Sequence, residues 1–374
     1  MFRFLHTSDL HLGKPFGRFE EGLRGRLREA RHGVIGRLAA TARTGGAKHV
    51  LIAGDMFDAQ TPSPATVRQA LEAMGQAADI VWVLMPGNHD SLAAGELWAR
   101  LLRDAPGNLV LAREAVPMAL AAGVDLLPAP CPVRRPGRDL TEWMTAAASA
   151  QGTIRIGLAH GGVTDFEATE EGNPAVIPPD RAERAGLDYL GLGDWHGQMR
   201  IGPRCWYSGS PEADGFKHAG PAGALVVSVA APGAVPEVTP VPTGVFEWSE
   251  RALDLLALDN ATEMLEAVLM GFGAKRDTLL RLDVRGRVRP SVRVALERGF
   301  AAAVPSFGYA ELRLEALETV QDAADLDAID RGGALRVAAE ALLAEAMDEA
   351  KPAQTRAVAA AALSRLYALA GDAE

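Results

Sequence analysis

Cysteine is almost missing from this chain of 374 residues: Cys131 and Cys205 are the only two. That excludes a disulfide framework or a thiolate zinc cage and fits a reducing compartment. Long apolar runs are missing too. No stretch approaches the roughly 20 uninterrupted apolar residues needed to span a bilayer. The opening MFRFLHTSDLH passes from a short apolar stretch straight into polar residues, without the apolar core and small-residue cleavage site of a secretory signal. A cytoplasmic protein with no membrane contact is therefore expected. An excess of positive charge is also absent. The net charge is −10, so the surface as a whole repels polyanions, and any nucleic-acid contact has to be local or assisted by cations.

What is present is a globular composition at a length that suggests two domains. Over the first 200 residues, short apolar runs alternate with helical patterns, an α/β layout. Phe2 to Thr7, His49 to Ala53, Ile80 to Met85, Ile154 to Ala159 and Tyr189 to Leu192 read as strands. Leu23, Leu27, Ala30, Val34 and Leu38 lie on one face of a helix. Ser63 followed by Pro64 is a helix start. Ala222 to Pro242 suggests antiparallel strands closing the core. Further on, LLRLDVRGRV alternates as a half-buried strand, followed by a helix, a second strand at AELRLEA and an alanine-rich helical end.

Five of the strand ends in the first part lead at once into polar residues of metal-ligand type: Asp9 and His11; Asp55 and Asp58; Asn88, His89 and Asp90; His160; and Asp194 and His196. The carboxyl ends of strands gather along one edge of an α/β sheet, where sites form. Carboxylates, imidazoles and one amide, without a thiolate, suit Mn²⁺ or Fe²⁺, with Mg²⁺ or Zn²⁺ also accommodated. The ligands are too many for one ion. Two divalent ions are expected, clamping a phosphoryl group and delivering hydroxide in line with the leaving oxygen.

The ordered set resembles the calcineurin-like metallophosphoesterases. FLHTSDLHLGK, GDMFDAQTPSP, PGNHD and WYSGSPE resemble most the SbcD-type DNA repair exonucleases, the nuclease partner of an SMC-like ATPase. The resemblance covers about residues 1–215; from residue 245 onward it rests only on position and alternating pattern. It implies a four-layer α/β/β/α core over 1–244, a smaller α/β capping domain over 245–330 and a C-terminal helical segment over 331–374. It also implies that Asp9, His11 and His196 hold one metal, that Asn88, His160 and Asp194 hold the other, and that Asp55 bridges them. His89 matches the family's non-ligand histidine, which protonates the leaving oxygen or stabilises charge. Asp58 and Asp90 orient ligands or the acid, or simply brace turns. There is one departure: the last motif is usually Gly-His-x-His, and here Asp194 stands at the first histidine.

The activity this implies is that of a Mn²⁺-dependent DNA exonuclease or endonuclease in repair. Its partners would be DNA, an SMC-like ATPase and a second copy of the chain. Two alternatives stay open: a phosphoesterase of a small phosphodiester or phosphomonoester, and a non-catalytic clamp on an ATPase. Arg285, Arg287 and Arg289, within five arginines between Arg281 and Arg293, are candidates for DNA phosphates, against the more ordinary reading of a solvated strand face and turn. His218 is a candidate for the mouth of the cleft.

Overall fold

The computed structural model describes residues 1–164, 176–217, 220–256, 259–319 and 333–371. His218 lies outside the described residues. Two compact units are present, Met1–Glu247 and Trp248–Glu374.

The first unit is built on two six-stranded sheets. In the first sheet, β1 (Phe2–Thr7), β2 (His49–Ile52), β3 (Val81–Leu84) and β4 (Leu109–Leu111) run parallel. The second contains a hairpin, β5 (Met118–Ala121) with β6 (Val124–Ala129), then β7 (Ile154–His160), β8 (Tyr189–Gly193), β9 (Met199–Arg200) and β10 (Cys205–Tyr207). Strands β6, β7, β8 and β10 are mutually parallel. The chain then returns to the first sheet, where β11 (Gly223–Val229) pairs antiparallel with β1 and β12 (Glu237–Pro242) completes the edge.

The near-continuous apolar character of the parallel strands reflects burial on both faces. Phe4, Leu51, Val83, Leu126, Ile156 and Leu158 interleave between the sheets. On the far side of the first sheet lie the helices α1 (Glu21–Thr44), α2 (Pro64–Gln76) and α3 (Gly95–Asp104). The periodic face of α1 is buried at Leu27, Ala30, Val34 and Leu38, while Leu23 is half-buried. Helix α2 begins as expected, with Ser63 Oγ accepting from the Thr66 amide at 3.1 Å. Among the described residues, a 3₁₀ turn at Glu142–Thr145 and the short α4 (Arg181–Arg184) pack on the outer face of the second sheet.

In the second unit, β13 (Glu247–Leu255), β14 (Thr278–Val288) and β15 (Tyr309–Thr319) form a three-stranded sheet. Helices α5 (Ala261–Met270) and α6 (Pro290–Ala303) pack against it. Helices over Ala334–Met347 and Ala353–Gly371 follow. No helix among the described residues is long and apolar enough to cross a membrane.

His6, on β1, has no solvent exposure, and its Nδ1 pairs with the Tyr189 hydroxyl at 2.8 Å. Burial drives its pKa down from 6.5 to about 3. The unfolded chain takes up this proton below pH 6.5 and the folded chain does not, so stability is lost as pH falls from 6.5 towards 3, by roughly 5 kcal/mol at most. Chemical denaturation of metal-free His6→Gln across that window is expected to show a flatter pH dependence than the parent. An unchanged slope would contradict this account.

Candidate active site

Six strand ends converge. The loops after β1, β2 and β3 carry Asp9 and His11, Asp55 and Asp58, and Asn88 to Asp90. His160 closes β7, and Asp194 and His196 follow β8. The loop after β10, which begins in the WYSGSPE motif, brings Ser208, Ser210 and Asp214 to the same place: Ser208 Oγ is 2.8 Å from Ser8 Oγ, and Ser210 Oγ donates to the Asp9 carbonyl at 2.7 Å. The sheets are tied together here, since the Asp194 amide lies 3.2 Å from both carboxylate oxygens of Asp9, and His160 Nδ1 donates to the Ala53 carbonyl at 2.8 Å.

The local backbone is strained where those side chains turn inward. Asp9, His11, Asp55 and Asp194 have φ of 55°, 44°, 54° and 95°, a region that costs non-glycine residues roughly 1–3 kcal/mol each and clusters at functional sites. Gly87 is required for a different reason. A Cβ there would collide with the Asp55 carboxylate and backbone, so the third loop can close on the second only without a side chain. The residues inside the two Asp-x-His units point elsewhere: Leu10 is in the core behind the first sheet, and Trp195 packs against the outer core of the second.

Two sets of side chains face one another. Asp9, His11 and His196 form one group able to hold an ion; Asp9, Asp55 and His160 form another. His11 Nε2 lies 3.2 Å from His196 Nε2, 3.9 Å from Asp9 Oδ1 and 3.8 Å from Asp55 Oδ2. His160 Nε2 lies 3.5 Å from Asp55 Oδ2 and 3.7 Å from Asp194 Oδ1. Asn88 Nδ2 donates to Asp194 Oδ1 at 2.9 Å, which turns Asn88 Oδ1 the other way.

These residues fit divalent cations. Asn88 Oδ1 and His160 Nε2 are buried with no hydrogen-bond partner among the described residues, although such atoms in proteins are nearly always satisfied. The spacing between His11 Nε2 and His196 Nε2 is that of adjacent donors around a six-coordinate ion, roughly 3 Å. The electrostatics point the same way. Burial works against the His160 imidazolium, yet the carboxylates of Asp55, Asp9 and Asp194 hold its pKa well above the usual value. Burial likewise opposes ionisation of Asp55, and His160, His11 and His89 overcome it, leaving its pKa well below the carboxylate range. The pocket demands positive charge at its centre.

The supporting residues divide the remaining work. His89 Nδ1 donates to the Asp58 carbonyl at 2.7 Å, and its amide donates to Asp55 Oδ1 at 2.9 Å. Its ring stands edge-on to His11 at 4.9 Å. The Asp58 carboxylate lies 3.4 Å from His11 Nδ1; His11, Asp58 and His89 thus make a third grouping with ligand spacing. Asp90 has no exposure and accepts from the Gly87 and Phe57 amides at 2.7 and 3.2 Å, bracing two loops. Burial and the Asp55 charge push its pKa up to about 7.

Asp214 carries no motif signature. Its Oδ1 is 3.1 Å from His196 Nδ1, and Lys14 Nζ donates to its Oδ2 at 2.6 Å. Burial would raise its pKa, but His196, Arg31 and Lys14 hold it well below the ordinary range. A carboxylate following an aspartate-bearing motif by twenty residues has no sequence pattern of its own; only the preceding WYSGSPE points to this loop. The arginine stretch lies in the second unit. Arg285, Arg287 and Arg289 are exposed, and Arg287 Nε is 2.6 Å from Glu318.

A family model described as calcineurin-like phosphoesterase matches residues 2–218. Among curated proteins, the SbcD component of nuclease SbcCD from Escherichia coli (strain K12) is 35% identical over 94 residues, covering 24% of this chain and 22% of that protein. The protein of the same name from Escherichia coli O157:H7 matches to the same extent. The aligned stretch therefore spans about a fifth of the relatives' length.

Proposed function

Because this chain belongs to the calcineurin-like phosphoesterase family, and is a metal-dependent phosphoesterase, we propose that its substrate is DNA, cleaved in repair as a Mn²⁺-dependent exonuclease or endonuclease. The observation that carries the reading is the pair of ligand groups sharing Asp9 beneath six strand ends. The partial likeness to a nuclease component supports the choice of DNA and of an SMC-like ATPase as partner. The proposal includes a second copy of the chain as a further partner and the cytoplasm as location.

Asp9, His11 and His196 would hold one ion and Asn88, His160 and Asp194 the other, with Asp55 between them. Such ions neutralise phosphoryl charge and activate water. The chain's own part is to orient. Asp194 turns the Asn88 amide, the Ala53 carbonyl sets the His160 tautomer, and Asp58 and Asp55 fix the His89 ring and backbone. With Nδ1–H held by a carbonyl, the His89 ring is oriented by that bond, and it is as the imidazolium, protonated at Nε2 as well, that it would give a proton to the departing sugar oxygen. On this reading the exposed Arg285, Arg287 and Arg289 meet DNA phosphates.

One observation favours a small phosphodiester instead. Basic side chains of the arginine stretch are offset by acids, Arg281 by Glu311, Arg287 by Glu318 and Arg293 by Glu297, in a protein of net charge −10. Turnover with Mn²⁺ on linear DNA, circular single-stranded DNA and a chromogenic phosphodiester separates the readings. Cleavage of linear DNA is the expected result. Hydrolysis of the chromogenic ester alone would make the substrate small, and turnover of none of them would leave a clamp.

Asp194 in place of histidine has its own consequence. A carboxylate oxygen is a harder donor than an imidazole, so this site should favour Mn²⁺ or Mg²⁺ over Zn²⁺ more than a histidine-bearing one. Asp194→His is expected to keep two ions while shifting competition titrations towards Zn²⁺, whereas Asp194→Ala weakens one ion selectively. Unchanged preference in Asp194→His would remove Asp194 from the ligands.

A further inference from the structure

We propose that Asp214 is a positioning residue: it fixes the His196 imidazole with the Nε2 lone pair facing the site, and Lys14 and Arg31 lock its carboxylate for that task. The inference rests on the reading of His196 as a metal ligand.

The two carboxylate oxygens have separate duties. Oδ1 faces His196 Nδ1 at 3.1 Å. Oδ2 accepts from Lys14 Nζ at 2.6 Å and lies 3.7 Å from Arg31 Nη2. A carboxylate held by one oxygen is not free to rotate the other away. Arg31 is itself anchored: its side chain is 1% exposed, Nη1 donates to the Leu10 carbonyl, and Nη2 donates to the Glu212 carbonyl at 2.9 Å. The loop after β1, helix α1 and the loop after β10 thus meet on one carboxylate.

A neutral imidazole has two tautomers, and an ionised carboxylate at Nδ1 selects the one with its hydrogen there, leaving Nε2 as the donor atom. That Nε2 is the atom facing His11 Nε2 at 3.2 Å. The Asp214 side chain is 8% exposed, and an ionised group so covered is tolerable because two cationic side chains and an imidazole surround it. No comparable grip is needed at His160, whose tautomer is set by a backbone carbonyl.

The test uses the full chain, stripped of metal and labelled with ¹⁵N-histidine. In the parent, His196 is expected as the Nδ1–H tautomer. Asp214→Ala is expected to show mixed tautomers and to bind one of two Mn²⁺ ions roughly 10–100-fold more weakly, the other unchanged. Asp214→Asn, which restores a neutral acceptor, should recover part of that loss. Lys14→Met, altering a side chain that is 29% exposed, should give a smaller fall and guards against misfolding of the alanine variant. A merely structural staple would lower the melting temperature while leaving tautomer and both affinities as in the parent, and that result overturns the proposal. Titration of the parent with diamagnetic Zn²⁺ distinguishes the other failure: a His196 ¹⁵N signal that does not move would refute the ligand reading on which the proposal rests.

Discussion

Asp55→Ala is expected to lose both ions together and to slow phosphoester hydrolysis by at least roughly 10³-fold, the equivalent of several kcal/mol of transition-state stabilisation. The position of the carboxylate makes the effect large. Oδ2 lies 3.8 Å from His11 Nε2 in one ligand group and 3.5 Å from His160 Nε2 in the other, and Oδ1 accepts from the His89 amide. Asp9 belongs to both ligand groups, and Asp55 in addition ties them to the loop that carries His89. Truncation also leaves His160 facing less negative charge, so the affinity for cations falls beyond the loss of one donor. Elemental analysis after dialysis against Mn²⁺ is the direct check, and two ions per chain in the variant would end the bridging assignment. Melting curves of the metal-free proteins separate this from unfolding. The Asp55 backbone already sits at φ 54°, a conformation alanine tolerates less well than aspartate, so some loss of stability accompanies the loss of metal.

His89→Ala is expected to behave differently, retaining two ions while turnover falls by roughly 10²–10⁴-fold, as for a lost general acid. The ring touches the Asp58 carbonyl through Nδ1 and stands edge-on to His11, and on the proposed reading Nε2 is the atom that serves the substrate. The grouping of His11, Asp58 and His89 at ligand spacing supplies the rival interpretation, in which His89 binds metal. Ion counts decide between them. Kinetics sharpen the decision, since a proton donor used only in the transition state lowers kcat and kcat/KM together, without a rise in KM. A substrate whose leaving group needs no proton should react nearly as fast with the variant as with the parent.

Much of this site was legible in the amino-acid sequence because its signals are local. The buried run at Phe2–Thr7 ends where the polar residues begin. The α1 face follows helical spacing, and Ser63 caps α2. Asp, Asn and Gly at strand ends advertise tight inward turns through their tolerance of positive φ. Short strands bracketed by turns, such as Leu109–Leu111 and Met118–Ala121, gave too few residues for a period to register.

Tertiary structure alone decided which of those local features meet. His160 reaches the Ala53 carbonyl across 107 positions, Asp194 reaches Asn88 across 106 and Asp9 across 185, and Lys14 reaches Asp214 across 200. Periodicity and turn chemistry act over about four residues, whereas these contacts depend on the order in which strands enter two sheets and on how those sheets stack. Asp90, which by sequence either orients ligands or the acid or braces a turn, accepts from two amides of separate loops. Asp214 has no pattern of its own in the sequence, and the β10 loop brings its carboxylate to His196. Arg287, by sequence a candidate for a phosphate or for a solvated strand face, has Glu318 of β15 opposite it. In each case the side chain's chemistry was written in the sequence, but its partner was supplied by packing, because a polar or ionised group takes its role from the complementary group nearest to it in space and not from its neighbours along the chain.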